Sequence, residues 1–172
     1  MEDMADVANP ADDPDDAAAL AAHASTLADR MIGALPGWVA RTMTERLMTA
    51  NGSLTERERA QVDATSRAMA DETAPALRRF LALDIDVQAT TPLEVVRAHL
   101  HGPTEVLRGL GVPPVARDAF DESQFPDDLY DFGPRAYTDL DPALQEPALT
   151  WGAAKAHVHL RRRRQANPTD PS

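Results

Sequence analysis

Residues 17–33 read AAALAAHASTLADRMIG, and apolar side chains recur through this stretch at intervals of three and four residues. Such intervals place the apolar residues on one face of a helix. The residues on that face are Leu20, Ala24, Leu27 and Met31. We therefore expect the first helix to run from about Asp16 to Gly33, with its apolar face against the rest of the protein.

Proline and glycine divide the following sequence into further helices. Pro36-Gly37 predicts a break before a second helix at about 38–49. Ser53 and Thr55 compete as the N-cap of a third helix, because each is followed three residues later by a glutamate, as in a capping box. Pro75 predicts a break or kink in that helix, which ends near Leu83. A connector follows at 84–90, where alternating residues allow one short strand.

The clearest helix start lies at Thr91-Pro92-Leu93-Glu94, which has Thr at N-cap, Pro at N1 and Glu at N3. An apolar stripe continues through Pro103 to Gly111, and its constant phase favours one kinked helix over two short ones. Asp141-Pro142 resembles another helix start, and a last helix is expected after Pro147. Leu149, Ala153, Ala156 and Leu160 are expected on one face of this helix.

These patterns predict an all-α fold, an irregular bundle of about five or six helices with some kinked at proline. Runs of β-branched and aromatic residues that would build a sheet are scarce. We expect an acidic disordered tail at 1–16, one helical domain at 17–164 and a second disordered tail at 165–172, because the tails have too few apolar residues to offset the entropy of ordering.

We expect residues 115–140 to form a long irregular segment, the acidic-aromatic segment, with a turn or two of helix at 116–122. Carboxylates alternate with aromatic rings in it. Five of the eight aromatic residues of the chain lie there: Phe120, Phe125, Tyr130, Phe132 and Tyr137. We expect the three phenylalanines and Tyr130 to hold the segment on the helices. As a separate hypothesis, if any of these aromatics faces outward, we expect it to be Tyr130 or Tyr137, since each has a polar tip.

The composition restricts the classes of function. The net charge of −11 disfavours binding of nucleic acid by the whole surface, because that affinity comes mainly from Lys and Arg at phosphates. The absence of cysteine excludes disulfides, thiol nucleophiles and Cys-ligated metals. No basic, apolar leader and no membrane-length apolar run occurs, so we predict a cytoplasmic protein that does not bind membranes.

The pattern favours a non-enzymatic adaptor or regulator that binds a basic surface of a protein or nucleoprotein assembly. Aromatic anchors ringed by acids suit that task. The predicted contact residues come from the acidic-aromatic segment and from the basic end of the last helix: Phe125, Asp127, Asp128, Tyr130, Asp131, Tyr137, Arg161, Arg162, Arg163 and Arg164. We predict no catalytic residue, no metal and no cofactor; the oligomeric state stays open.

Two alternatives remain. A small metal-dependent or acid–base enzyme would use His99, His101, His157 or His159 with nearby acids, and clustering of these side chains in one pocket would favour it. Neither His-x-His pair can chelate alone if it lies on a helix, because residues two apart point in opposite directions. The second alternative is a nucleic-acid-associated protein that uses the arginine run 161–164.

Two blocks, FPDDLYDFGP at 125–134 and DLDPALQEPALTWGAAKAHVHLRRRR at 139–164, carry a resemblance. This region, roughly the last 80 residues, resembles the C-terminal part of uncharacterised hypothetical proteins of high-GC, actinobacterial type. The resemblance implies no activity, substrate or site residue.

Overall fold

The computed structural model describes residues 13–83 and 91–167. Within these two ranges it contains α-helices, one 3-10 helix and no strand, which confirms the predicted all-α fold. The elements in chain order are α1 Pro14–Asn51, α2 Glu56–Leu81, α3 Pro92–Arg97, α4 His101–Gly109, α5 Ala119–Gln124, α6 Tyr137–Leu140, the 3-10 helix Pro142–Leu144 and α7 Gln145–Ala166.

The core lies along α1, which packs against α2 and α7 and also contacts α4, α6 and the 3-10 helix. One stripe of α1 is fully buried over most of the length of the helix: Leu27, Met31, Leu35, Val39, Met43 and Leu47. Because this stripe packs against the other helices, α1 is the element on which the bundle is assembled.

The expected break at Pro36-Gly37 is wrong, because α1 is a single helix of 38 residues with Pro36 inside it. A proline in a helix removes one hydrogen bond and displaces the carbonyl one turn back, here that of Ile32. Leu35 and Trp38 are buried on either side of the proline, and the apolar stripe keeps its phase through it. Burial of that uninterrupted stripe outweighs the local cost of the proline.

The start of α2 selects Thr55 over Ser53 as N-cap. The Thr55 amide donates to a carboxylate oxygen of Glu58 at 2.7 Å, and the Glu58 amide donates to the Thr55 hydroxyl at 3.2 Å. These contacts complete the predicted capping box and hold the pKa of Glu58 below its usual range. Pro75 lies inside α2 and does not end it. The strand considered at 84–90 falls outside the described residues.

The prediction of one kinked helix at 91–110 is wrong, because the structure has two short helices, α3 and α4, joined by a turn at 98–100. Thr91 does cap α3, with Pro92 at its first position. The break lies one turn before Pro103. In a continuous helix the proline ring would clash there with the carbonyl of His99. Pro103 lies in the first turn of α4, where a missing N–H removes no helical hydrogen bond.

The apolar face noted on the last helix is not the face that α7 buries. Leu149 and Leu160 are 66% and 52% exposed, and Ala153 and Ala156 are exposed as well. α7 instead buries Ala148, Trp151 and Val158. Both faces have helical spacing and apolar residues, so periodicity alone did not distinguish them. Burial of the larger indole of Trp151 favours the observed rotation.

The predicted ends of the helical region shift by a few residues. Asp13 caps α1, so residues 14–16, which we had assigned to the acidic tail, are helical. α7 likewise extends to Ala166, beyond the predicted limit at 164. Residues 1–12 and 168–172 of the predicted tails lie outside the described residues. Among the helices that the structure describes, none combines the length and apolarity needed to cross a membrane.

Candidate functional site

The acidic-aromatic segment runs over the surface formed by α1, α3 and α4 and carries the short helices α5 and α6. It is closed on itself by backbone hydrogen bonding, since the Val115 amide donates to the Leu129 carbonyl at 3.0 Å. Some residues of this segment are buried in the core, and others next to them in sequence are exposed on the surface.

Tyr130 and Phe132 belong to the core. They are 1% and 2% exposed, and the rings of Phe132 and Trp38 meet edge to face with centroids 6.4 Å apart. The Tyr130 hydroxyl donates to the Val112 carbonyl at 2.8 Å, so its polar tip is satisfied inside the protein. Burial raises the pKa of Tyr130. The expectation that Tyr130 faces outward is therefore wrong.

Tyr137 and Phe120 also differ from expectation, in opposite directions. Tyr137 is half-buried against the core, and burial raises its pKa to about 12, so it does not project as an anchor for a partner. Phe120 was expected to hold the segment on the helices, yet it is 70% exposed on α5, a helix with no buried residue. Leaving most of a phenylalanine ring in water has a free-energy cost, which packing among the described residues does not remove.

Three arginines hold the acidic-aromatic segment by its backbone carbonyls. Arg46 of α1 donates to the Tyr130 carbonyl at 2.9 Å. Arg97 of α3 donates to the Pro134 carbonyl, and Arg117 donates to the Phe125 carbonyl at 2.6 Å. This role of the arginines was not predicted from the sequence. An arginine spaced far from its acceptor in sequence carries no local signal for such a contact.

Arg97 also contacts the ring of Phe125. Its guanidinium carbon lies 4.1 Å from the centre of that ring. This is the geometry of a cation–π interaction. The ring is half-buried, so Phe125 is only partly available to another molecule. Arg97 Nε is buried without a hydrogen-bond partner in the part of the chain that the structure describes.

Asp128, a predicted contact residue, and Asp139, another acid of the segment, have structural partners. The Asp128 carboxylate accepts hydrogen bonds from the amides of Phe132 at 2.8 Å and Gly133 at 2.7 Å, which fixes the turn that they form. Asp139 accepts from the amides of Arg135 and Ala136, each at 2.9 Å. Both carboxylates accept hydrogen bonds from backbone amides of the segment, so they stabilise its conformation and are less available to a partner.

The outer surface of the segment keeps Asp127 and Asp131, both exposed. Asp131 has a φ of 53°, the left-handed conformation that aspartate tolerates better than most residues, and lies 3.8 Å from Arg135. Arg135 also pairs with Asp121. Of the segment residues predicted to contact a partner, Asp127 and Asp131 are the ones that the structure leaves on the surface.

A cleft of about 690 Å³ separates the turn at 125–129 from α3 and α4. Phe125, Asp127 and Asp128 line it on one side, and His101 and Arg108 line it on the other. The walls carry both signs of charge. Among its charged lining residues Glu94, Glu105, Asp127 and Asp128 are acidic, whereas Arg97 and Arg108 are basic.

The histidines considered for an enzyme lie on different parts of the fold. His101 lines this cleft, while the ring of His99 contacts the carbonyl of Val95 at 2.8 Å. His157 lies on α7, where its Nε2 is 3.5 Å from a carboxylate oxygen of Asp16. Among the described residues, no group of three or more His, Cys, Asp or Glu side chains is arranged to hold a metal ion.

The four arginines of the run 161–164 differ in burial and in their contacts. Arg161 pairs with Asp16 and with Asp13, the latter at 3.1 Å, and these contacts raise its pKa. Arg161 and Arg162 are half-buried and line a groove of about 350 Å³ between α1, α2 and α7. Arg163 and Arg164 are exposed at the end of α7. The basic surface at this position is smaller than the four-residue run predicts.

No protein-family model matches the chain, no curated protein matches its sequence, and no solved structure matches its fold.

Proposed function

We propose that the protein is a non-enzymatic adaptor or regulator that binds a basic surface of a protein or nucleoprotein assembly through the outer side of the acidic-aromatic segment. The observation that carries the proposal is Phe120, a phenylalanine 70% exposed on a helix with no buried residue. Aromatic side chains of this kind are the usual anchors of protein interfaces. The acids around it would direct the encounter toward a basic partner.

The contact surface is smaller than the one predicted from the sequence. Phe120 and Glu122 on α5, with Asp127 and Asp131 beyond it, are exposed. Tyr130, Tyr137 and Asp128 take part in the fold itself, so we assign them to support of this surface. Arg163 and Arg164 are the members of the basic run that remain as an exposed electrostatic anchor.

The positions of the histidines also support an adaptor over an enzyme. His101 lines the cleft beside the acidic-aromatic segment, whereas His157 lies on α7 beside Asp16. General acid–base or metal chemistry needs these groups within reach of one substrate atom. The nucleic-acid alternative is supported by two exposed arginines only, because Arg161 is engaged by two carboxylates.

The test is capture of binding partners from native lysate by the tagged protein, with nuclease and at low and high salt. We compare the wild type with Phe120→Ser and with Asp127→Lys. Both positions are exposed, so neither change removes a core contact. Asp71→Lys makes the same change of charge on the exposed face of α2 and serves as the matched control.

We expect one partner to be captured in stoichiometric amount after nuclease treatment and in smaller amount at high salt. Both segment variants should fail to capture it, whereas the control should retain it. Retention of that partner by Phe120→Ser and Asp127→Lys would refute the proposed surface. Loss of all partners on nuclease treatment would favour the nucleic-acid alternative, in which the exposed arginines make the contact.

A further inference from the structure

An apolar stripe on α7 faces away from the fold. It consists of Leu149, Ala153, Ala156 and Leu160, and all four side chains are exposed. Their spacing of four, three and four residues keeps them on one narrow face of the helix. The opposite face of α7 packs on the fold through Trp151 and Val158. The helix thus has two apolar faces, of which the described chain covers one.

Opposite charges lie at the two ends of the stripe. Glu146 precedes it in the first turn of α7, and Arg163 and Arg164 follow it in the last turn. All three side chains are exposed. At 1.5 Å per residue, the distance along the helix from Glu146 to Arg163 is about 26 Å.

The stripe and its charges are symmetric about the midpoint between residues 154 and 155. Leu149 lies as far before this midpoint as Leu160 lies after it, and Ala153 and Ala156 are related in the same way. Glu146 and Arg163 are equally spaced about it too. An antiparallel copy of the same helix would therefore place leucine opposite leucine, alanine opposite alanine and glutamate opposite arginine.

We propose that α7 binds α7 of a second copy of this chain, antiparallel and related by a two-fold axis at residues 154–155. The two alanines at the centre let the helices approach closely, and a leucine at each end covers the space beside them. Glu146 of each copy meets the arginine pair of the other. Isologous contacts of this kind are the commonest form of homodimer.

Parallel pairing is disfavoured by the same residues. It would set Glu146 beside the Glu146 of the second copy, and the two arginine pairs beside each other, so both ends would repel. One helix face is small for a protein interface, and such interfaces give weak association. The dimer is therefore weak and its population depends on protein concentration.

Disulfide trapping tests the orientation, because the chain has no cysteine and any introduced thiol is the only one present. Leu149→Cys and Leu160→Cys are prepared with tags of different mass and are oxidised alone and as a mixture. In the antiparallel dimer the two thiols of one variant lie about 16 Å apart along the helix, beyond disulfide reach. A thiol of one variant lies opposite a thiol of the other.

We expect a rapid covalent dimer in the mixture and little in either variant alone. Met48→Cys mixed with Leu160→Cys measures chance collision, since Met48 is 44% exposed on α1. Equal cross-linking of Leu149→Cys with itself would overturn the antiparallel arrangement. A mixture that cross-links no faster than the collision control would overturn the dimer.

Sedimentation velocity over a roughly hundredfold range of concentration measures the association without added thiols. We expect Ala156→Glu and Glu146→Arg each to weaken the dimer by about tenfold. Glu146→Arg combined with Arg163→Glu and Arg164→Glu reverses every charge pair and should restore it. Failure of that combination to recover association counts against the proposed pairing of ends.

Phe120→Ser separates this inference from the proposed docking function. Phe120 is exposed on α5 and has no place in the α7 stripe. The variant should lose the captured partner and keep the concentration-dependent dimer. A wild-type protein that stays monomeric at every concentration would refute the dimer and leave the docking surface unaffected.

Discussion

The buried hydroxyl of Tyr130 donates a 2.8 Å hydrogen bond to the carbonyl oxygen of Val112, eighteen residues earlier in the chain. Val112 is the residue that follows the glycine turn at the end of α4, and it is buried too. The bond therefore closes the acidic-aromatic segment onto the end of α4 at a point from which water is excluded. A hydrogen bond in such a place stabilises mainly because its loss leaves a buried acceptor without a donor.

Tyr130→Phe should lower the free energy of unfolding by about 1–2 kcal/mol, because the ring still fills its space while the Val112 carbonyl loses its partner. Urea unfolding followed by circular dichroism measures the change. Met48→Leu, an apolar substitution at an exposed position, serves as the control and should leave stability unchanged. An unaltered midpoint in Tyr130→Phe would show that water or another donor replaces the hydroxyl.

The neighbouring carboxylates Asp127 and Asp128 should respond differently to the same substitution. Asp128→Ala removes the acceptor of two backbone amides and should cost about 2–3 kcal/mol of stability. Asp127→Ala removes an exposed carboxylate and should change stability by less than about 0.5 kcal/mol. Thermal unfolding of the pair checks this, and equal losses would contradict the assignment of separate roles.

Two glycine substitutions should change stability in opposite directions. A Cβ at Gly133 would lie 2.9 Å from both Arg97 Nε and Asp128 Oδ2, and both side chains are held by other contacts, so Gly133→Ala should cost about 1–3 kcal/mol. A Cβ at Gly37 meets nothing within 4 Å, and this residue lies inside α1. Gly37→Ala should therefore stabilise by about 0.5–1 kcal/mol. Chemical denaturation of both variants measures the two changes in stability. An increase in the stability of Gly133→Ala would contradict the prediction.

Alkaline pH should destabilise the fold through Tyr137. Burial raises the pKa of this phenol from 10.0 to about 12, so the folded state holds a proton that the unfolded state releases. Stability is accordingly unaffected by this group below pH 10 and decreases as the pH rises from 10 toward 12. The raised pKa of Tyr130 acts in the same direction.

Urea midpoints measured across this alkaline range test the effect, with Tyr137→Phe as the matched variant. The variant should show a shallower decline with pH, because it lacks one of the two phenols. An identical decline in Tyr137→Phe and wild type would assign the alkaline loss to other groups.

Helix starts and the fold class were predictable from the sequence because their causes are local. The capping box at Thr55 and the Thr-Pro start at Thr91 satisfy backbone donors within three residues, whatever the rest of the chain does. The apolar spacing of residues 17–33 likewise predicts a helix with one buried face, and the structure buries that face in α1.

The candidate site was predicted less well, because its residues are assigned by long-range contacts. The sequence located the segment and the exposed Asp127. It could not distinguish the aromatics that enter the core from the one that stays outside. Three arginines, one on α1, one on α3 and one in the segment itself, decide how the segment lies. Nothing in the spacing of Arg97 predicts its contact with Pro134.

The sequence by itself determined the helical class and the capped helix starts at Thr55 and Thr91. The tertiary structure decided that α1 continues through Pro36, because a buried stripe along most of the helix outweighs one lost hydrogen bond. It also decided which side of α7 turns inward, since both faces carry helically spaced apolar residues and the core accommodates the one with Trp151. Local chemistry determines where a helix begins, whereas the side that it buries depends on the surfaces that surround it.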